Sequence, residues 1–217
     1  MPYRRKYRKR ASKLATKKEV NKMIKRKLDE SIEDKHKDVI RDGFAVLTDG
    51  NFIVPLLNDI PRGTGPSQRI GDTIKLKYVH LNYVVTAEAN NTFNKIRVLV
   101  VQYSIFTGLT PAAIYEPNQI GGLNSTMAQI NYDQSKAPER VLRVLYDKTH
   151  RVYGGEYSSV SVNNLKIYRN MVKKISYDGN TETIPLQNQI YVCAISDSLV
   201  APNPTMNFIA RVVYEDA

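Results

Sequence analysis

The chain has 217 residues, of which 32 are lysine or arginine and 21 are aspartate or glutamate, giving a formal net charge of +11. A single cysteine excludes an internal disulfide and a thiolate metal cluster, and no run approaches the roughly 18 apolar residues of a membrane span. Thirteen bases against one acid give residues 1–28 a charge of +12, so the rest of the chain is almost neutral, at −1. This separation indicates a neutral body carrying a polycationic arm, which favours nucleic acid as a partner.

The beginning of the arm predicts disorder in isolation and electrostatic binding to a polyanion. Residues 2–13 have almost no aliphatic side chains with which to form a core. Lysines and arginines neutralise phosphates without reading sequence, and a tyrosine ring offers a face on which an unpaired base stacks. A solvated solubility tail and a nuclear import signal are the alternative uses of such a segment. The predicted nucleic-acid-binding residues are Arg4, Arg5, Lys6, Arg8, Lys9, Arg10, Lys13, Lys17, Lys18, Lys22, Lys25, Arg26 and Lys27, with Tyr3 and Tyr7 as base-stacking residues.

The second part of the arm predicts an amphipathic helix. Thr16 and Glu19 have the spacing of a capping box, with Ala15 and Val20 as a hydrophobic staple, so the helix is expected to begin near Lys17 and to run to about Lys37. Gly43 is expected to separate an arm of residues 1–42 from a second domain of residues 43–217. One narrow apolar stripe suits a neighbouring copy of the same helix, and its predicted self-association residues are Val20, Ile24, Leu28 and Ile32.

After the arm, the hydrophobic pattern changes to that of β-strands. The phase of alternation slips near Tyr78, which predicts a β-bulge, and a turn is expected at Asp147–His150. The segment 107–140 predicts a binding or subunit-contact surface that includes a helical turn at Pro111–Tyr115. The pattern indicates an all-β sandwich, but periodicity alone leaves a jelly roll and an immunoglobulin-like Greek key open. Strands are predicted at 44–56, 73–87, 95–106, 141–147, 150–155, 162–176, 189–196 and 206–215.

The residue types needed for catalysis are not grouped in the sequence. His36, His80 and His150 have no metal-ligand spacing, and Cys193 lies within an apolar run without an identifiable base. The loop Gly63–Gln68 lacks the residues of a phosphate-binding loop. We therefore predict no enzymatic activity, no cofactor and no metal site. Four carboxylates that could instead meet around calcium are expected to occupy turns and surface pairs: Asp72, Asp147, Asp197 and Asp216.

The same glycine loop, continued through residues 60–77 as IPRGTGPSQRIGDTIKLK, resembles the opening of small single-jelly-roll coat proteins. These are capsid proteins of circular single-stranded DNA viruses that encode a replication initiator, and they are similar to the satellite tobacco necrosis virus coat. The basic Tyr-Arg leader and the segments 188–192 and 208–216 fall in the corresponding order. The resemblance implies two facing four-stranded sheets, an arm inside the shell, and arm helices that meet around threefold axes.

The resulting prediction is a viral capsid protein with an eight-stranded single jelly roll and a partly helical basic arm. It is expected to form a small icosahedral shell, with about 60 copies, and to package a single-stranded genome, DNA rather than RNA. The virion is the expected location, with the host nucleus and an import receptor if the arm is an import signal, and no membrane partner is expected. The alternatives are a cellular RNA- or ribosome-binding β-domain with a basic tail, which requires basic residues grouped on the body, and a cupin-type enzyme, which requires a metal cluster.

Overall fold

A computed structural model describes residues 16–31, 34–87, 93–105, 108–115, 141–154, 158–179, 183–198 and 201–216; for residues 25–31 it describes the backbone alone. The chain divides into two units, Met1–Glu33 and Asp34–Ala217. The described elements are α1 (Lys17–Ser31), β1 (Lys35–Ala45), β2 (Phe52–Pro55), β3 (Thr73–Thr86), β4 (Asn94–Tyr103), α2 (Pro111–Ile114), β5 (Leu142–Val152), β6 (Ser159–Ile167), β7 (Lys174–Ser176), β8 (Gln189–Ser196) and β9 (Thr205–Asp216).

The strands of Asp34–Ala217 form two antiparallel sheets. The first has the order β1-β9-β3-β6, with the short β7 paired to the beginning of β3, and the second has the order β2-β8-β4-β5. The chain passes repeatedly from one sheet to the other, so strands distant in sequence become neighbours within each sheet. This connectivity is that of a jelly roll. It confirms the predicted fold class and removes the immunoglobulin-like alternative, and β1 lies almost entirely outside the eight predicted strands.

The core lies between the two sheets and follows the alternation of the strands. On β3, the side chains of Leu76, Val79, Leu81, Tyr83 and Val85 are buried, and the intervening residues are partly exposed. The change of phase in this strand comes from an extra residue between Leu76 and Tyr78 in the pairing with β9. The predicted β-bulge near Tyr78 is therefore confirmed.

A second apolar cluster covers the other face of the sheet that contains β8. Tyr191 and Cys193 on β8 belong to it, and Leu109, Ile114 and Tyr115 from the segment around α2 cover them. This second layer explains why every residue of β8 is buried, since both faces of the strand are packed. The predicted helical turn at Pro111–Tyr115 is confirmed by α2, and residues 116–140 lie outside the described residues.

The boundary between the arm and the second domain differs from the prediction. Helix α1 ends at Ser31 instead of Lys37, and residues 35–45 form β1, paired with β9, instead of belonging to an arm that ends at 42. A Glu–Lys pair at i,i+4 contributes only about 0.2–0.5 kcal/mol to a helix, which is less than a ladder of backbone hydrogen bonds provides. Gly43 adopts φ +68° where the register with β9 shifts, and its N–H donates to Asn207. This glycine therefore marks a bulge within β1, and the boundary between the units lies at 33/34.

Two further strand predictions are wrong. The expected turn at Asp147–His150 does not form, because the polar residues find partners across the β4–β5 ladder and β5 continues to Val152. The predicted strand 162–176 is two strands, β6 and β7. β6 ends at Ile167 and the chain bends at Asn170, which has φ +59°. The backbone of Val172 then exchanges two hydrogen bonds with the side chain of Gln102.

Candidate nucleic-acid interface

Helix α1 begins with the predicted capping box. The side chain of Glu19 accepts a hydrogen bond from the N–H of Thr16 at 2.7 Å, and the N–H of Glu19 donates to the hydroxyl of Thr16 at 3.3 Å. These bonds satisfy two backbone donors that a helix end otherwise leaves unpaired. The same contacts lower the pKa of Glu19, so the carboxylate remains charged at the positive end of the helix dipole. The staple residue Ala15 lies outside the described residues.

Basic and apolar positions follow separate lines along α1. Lys18, Lys22 and Arg26 recur every four residues, and Val20, Ile24 and Leu28 recur with the same period but are offset by two residues, about 200° around the helix. Lys17, Lys18 and Lys22 are exposed, and so are Val20 and Ile24, with 60% of Ile24 accessible. One face of α1 can therefore contact phosphates while another contacts an apolar partner.

The remaining predicted arm residues are only partly covered by the structure. Lys25, Arg26, Lys27 and Leu28 lie on α1, where the backbone alone is described. Their assignments stay predictions, as do those of the residues that the structure does not describe: Arg4, Arg5, Lys6, Arg8, Lys9, Arg10, Lys13, Tyr3, Tyr7 and Ile32.

In the body, the glycine loop is filled by its own side chain. Gln68 folds back so that its Oε1 accepts a hydrogen bond from the N–H of Gly65 at 2.8 Å. A Cβ atom at Gly63 would lie 2.1 Å from this oxygen, so the absence of a side chain at Gly63 allows Gln68 to fold back in this way. The N–H of Gly65 thus faces a glutamine amide, and the N–H of Gly63 donates to the carbonyl oxygen of Arg69 at 2.8 Å, so neither is directed at a phosphate. The geometry therefore gives this motif a structural role.

Arg69, at the end of this loop, is a buried cation that the sequence did not single out. Its side chain is completely inaccessible to solvent. The guanidinium donates to the carbonyl oxygens of Gly71 and Gly179 at 2.6 and 2.8 Å and to the carboxylate of Asp72 at 3.1 Å, and it lies 4.6 Å from the ring centroid of Tyr177. Within the element Gly63–Asp72, Arg69 thus has a structural role, because it connects the loop before β3 to the loop after β7 through hydrogen bonds.

Comparison with known protein families distinguishes a capsid protein from a cellular RNA-binding protein and from a cupin-type enzyme. A family model described as satellite tobacco necrosis virus coat protein matches residues 7–217. The chain belongs to the satellite tobacco necrosis virus coat protein family. This capsid protein matched no individual curated protein in sequence.

The family assigns the capsid protein a structural role in a virion, and its side chains are consistent with that role. Cys193 is buried, and burial raises the pKa of its thiol, which disfavours the reactive thiolate. Within the described ranges, no three metal-ligating side chains meet, and no helix is both long and apolar enough to span a membrane.

The four carboxylates considered for calcium are occupied by other contacts. Asp147 pairs with Arg97 through two hydrogen bonds, and Asp216 lies 2.7 Å from the ammonium of Lys35. Asp72 is paired with Arg69, and Asp197 accepts a hydrogen bond from the N–H of Lys95 at 2.7 Å. In the single chain, each of these four carboxylates therefore contacts a basic side chain or a backbone N–H.

Proposed function

We propose that this capsid protein assembles into a closed icosahedral shell of 60 copies and packages a single-stranded genome through its arm. The observation that carries the proposal is the family match over residues 7–217, which extends into a segment with a charge of +12. A nearly neutral jelly roll can pack against identical copies without strong charge repulsion. The arm supplies the charge that an enclosed polyanion requires.

In this proposal the arm binds the genome without reading its sequence. The thirteen bases from Arg4 to Lys27 neutralise phosphates, and Tyr3 and Tyr7 stack on unpaired bases. The exposed positions of Lys17, Lys18 and Lys22 on α1 support this role. The motif resemblance favours a circular single-stranded DNA virus, and hence DNA over RNA as the packaged strand. Assembly then takes place in the host nucleus, where the same basic arm serves as the signal for an import receptor.

The apolar stripe of α1 provides a contact between copies. Val20 and Ile24 are exposed in the single chain, and Leu28 and Ile32 continue their spacing. Helices from neighbouring copies bury these residues against one another, with threefold axes as the expected meeting points. Many weak contacts between bodies, together with the attraction of arms to one shared strand, supply cooperativity without any single strong interface.

The test compares the full chain with a full-length variant in which the thirteen arm bases are replaced by glutamine. Purified protein is examined by sedimentation velocity and electron microscopy. After nuclease treatment of the particles, the protected nucleic acid is extracted and its sensitivity to DNase and to RNase is compared. We expect uniform shells containing DNase-sensitive strands from the natural chain, and no protected nucleic acid in the variant. A natural chain that stays monomeric at high concentration would disprove assembly, and unchanged packaging by the variant would disprove the role of the arm.

A further inference from the structure

The cations of the body fall into two groups that differ in their partners. The described part of Asp34–Ala217 contains 17 lysines and arginines. Seven of them form ion pairs with carboxylates: Lys35, Arg62, Arg69, Lys75, Lys77, Arg97 and Arg211. None of these seven lies between residues 141 and 179. All seven described bases in that interval lack a carboxylate partner within the described residues: Arg143, Lys148, Arg151, Lys166, Arg169, Lys173 and Lys174.

Some of these seven cations border a groove between the edge strands of the two sheets. β5 and β6 are edge strands, and the gap between them is a groove of about 280 Å³. Apolar side chains on the two strands continue the core into the groove, and polar and aromatic residues provide the rest of its wall. We call it the β5–β6 groove, and its lining consists of Leu145, Tyr146, Leu165, Lys166, Ile167, Tyr168, Arg169 and Asn170.

Two cations of the groove lie beside aromatic rings. The guanidinium carbon of Arg169 is 5.5 Å from the ring centroid of Tyr168, and the ammonium of Lys166 is 3.8 Å from that of Tyr78. Tyr168 is 48% exposed. An exposed ring next to a cation is the combination with which proteins hold an unpaired base and its phosphate.

Further basic residues lie near the beginning of β5. Gln102 binds the backbone of Val172 through both ends of its amide, which places the chain before Lys173 against β4. Arg143 is the cross-strand partner of Gln102 in the β4–β5 ladder. Arg143 and Lys173 therefore lie near the same point, and a strand that leaves the groove meets further cations. Lys174 follows Lys173 directly, and Arg140 lies outside the described residues.

We propose that the β5–β6 groove is a second binding site for single-stranded nucleic acid, separate from the arm. A base stacks on Tyr168, and the flanking phosphates contact Lys166 and Arg169. The exposed aromatic face and apolar wall favour a nucleotide over a sulfated sugar chain, which would use the charges alone. This inference rests on the proposed function, in which the capsid protein encloses a single strand, but it concerns residues outside the arm.

The first test uses the natural full-length protein and an oligodeoxynucleotide containing bromodeoxyuridine. Ultraviolet crosslinking and mass spectrometry of the digested complex identify the residues that touch bases. We expect a crosslink within residues 165–170 in addition to crosslinks in the arm. Crosslinks confined to the arm would overturn the inference and leave the proposed function intact.

The second test measures oligo(dT) binding by fluorescence anisotropy in the full-length variant with thirteen arm glutamines. Adding Lys166→Gln and Arg169→Gln is expected to reduce the residual affinity at least tenfold and to lower the salt slope by about 1.4, the value for two lost phosphate contacts. Tyr168→Leu is expected to cost about tenfold because stacking is lost.

The matched control, Lys37→Gln with Arg41→Gln, removes the same charge from β1, which lies at the opposite edge of the sheet that contains β6. An equal loss in the control would overturn the site, as would residual binding to heparin but not to oligo(dT). The arm-neutralised protein itself separates the two hypotheses. Unchanged affinity on neutralising the arm contradicts the proposed role of the arm, whereas equal affinities of the groove and control variants contradict the groove.

Discussion

Arg69 places a full positive charge in the interior of the capsid protein, where each donor must find an acceptor. Two backbone carbonyls, one carboxylate and the ring of Tyr177 surround its guanidinium. A planar group with five donors can satisfy acceptors in several directions, and an ammonium on a lysine stem cannot reproduce that geometry. In the sequence Arg69 is one base among 32, and only the fold reveals that it is buried.

Replacement of Arg69 by lysine is therefore expected to lower the free energy of unfolding by about 3 kcal/mol, since buried carbonyls and part of a charge pair lose their partners. Urea denaturation of the purified subunit measures the change. Arg62→Lys is the matched control, because Arg62 also pairs with Asp72 but is 40% exposed, and we expect a loss below about 1 kcal/mol. Equal losses in the two variants would contradict the structural role of Arg69.

His150 joins the two sheets through a buried polar contact. Its Nε2 lies 2.7 Å from the hydroxyl of Tyr83 on β3, which is also 2.8 Å from the hydroxyl of Tyr146. Only 5% of His150 is exposed. Burial lowers the pKa of His150 below its ordinary value of 6.5, and the nearby ammonium of Lys148 lowers this pKa further. The folded subunit thus holds the imidazole neutral at a pH where the unfolded chain protonates it.

The sign of the pH effect follows from this lowered pKa. Below pH 6.5 the unfolded chain binds a proton that the folded subunit does not, so the contribution of His150 to stability is present above that pH and declines as the pH falls. We expect the free energy of unfolding to fall more steeply from about pH 7 to about pH 5 in the natural protein than in His150→Gln. Urea denaturation over this range measures both slopes, and parallel slopes would show that His150 does not carry the effect.

At the scale of elements, sequence patterns predicted the strands with a continuous or alternating apolar pattern and missed β1, whose residues are mostly polar. The 189–196 strand has its predicted limits, and the bulge near Tyr78 was visible as a change of phase. β1 could not be predicted, because one buried apolar residue, Val39, interrupts a polar segment and only pairing with β9 makes it a strand. The groove between β5 and β6 could not be predicted either, because these strands belong to different sheets and only the packing of the two sheets brings them together.

The turn before β2 and the segment around α2 depend on each other through Gly50. This glycine has φ +71°, and a Cβ atom there would lie 2.9 Å from Cε2 of Tyr115 and 3.3 Å from Cδ1 of Ile195. Tyr115 belongs to the second apolar cluster, so the turn and the cover of β8 share a tightly packed point.

Gly50→Ala is expected to cost about 1–2 kcal/mol for the positive φ and a further ~1–3 kcal/mol for overpacking against Tyr115. Gly43→Ala separates the two effects, because Gly43 has φ +68° and open space within 4 Å of the point that a Cβ atom would occupy, so only the first cost applies. Thermal and urea unfolding of both variants measure the difference. A cost for Gly50→Ala no larger than that for Gly43→Ala would contradict close packing between the turn and Tyr115.

At the scale of the whole molecule, the net positive charge is concentrated in the arm, and the body is almost neutral. Seven of the 17 described bases of the body form ion pairs with carboxylates, such as Arg211 with Asp38 and Arg97 with Asp147. The bases of α1 whose side chains are described, Lys17, Lys18 and Lys22, are exposed. A capsid protein organised in this way should bind nucleic acid with an affinity that depends strongly on salt and weakly on base sequence.

The salt dependence of binding provides the corresponding prediction. If all thirteen arm bases contact a single strand, the slope of log affinity against log salt concentration has an upper limit of about 9 in magnitude, at ~0.7 for each contact. Lys17→Gln with Lys18→Gln and Lys22→Gln should lower that magnitude by about 2, measured with oligo(dT) by fluorescence anisotropy over a series of salt concentrations. Lys37→Gln with Arg41→Gln and Lys95→Gln removes equal charge from the body outside the groove and should leave the slope unchanged. An equal decrease in both triple variants would mean that net charge, and not placement on α1, determines binding.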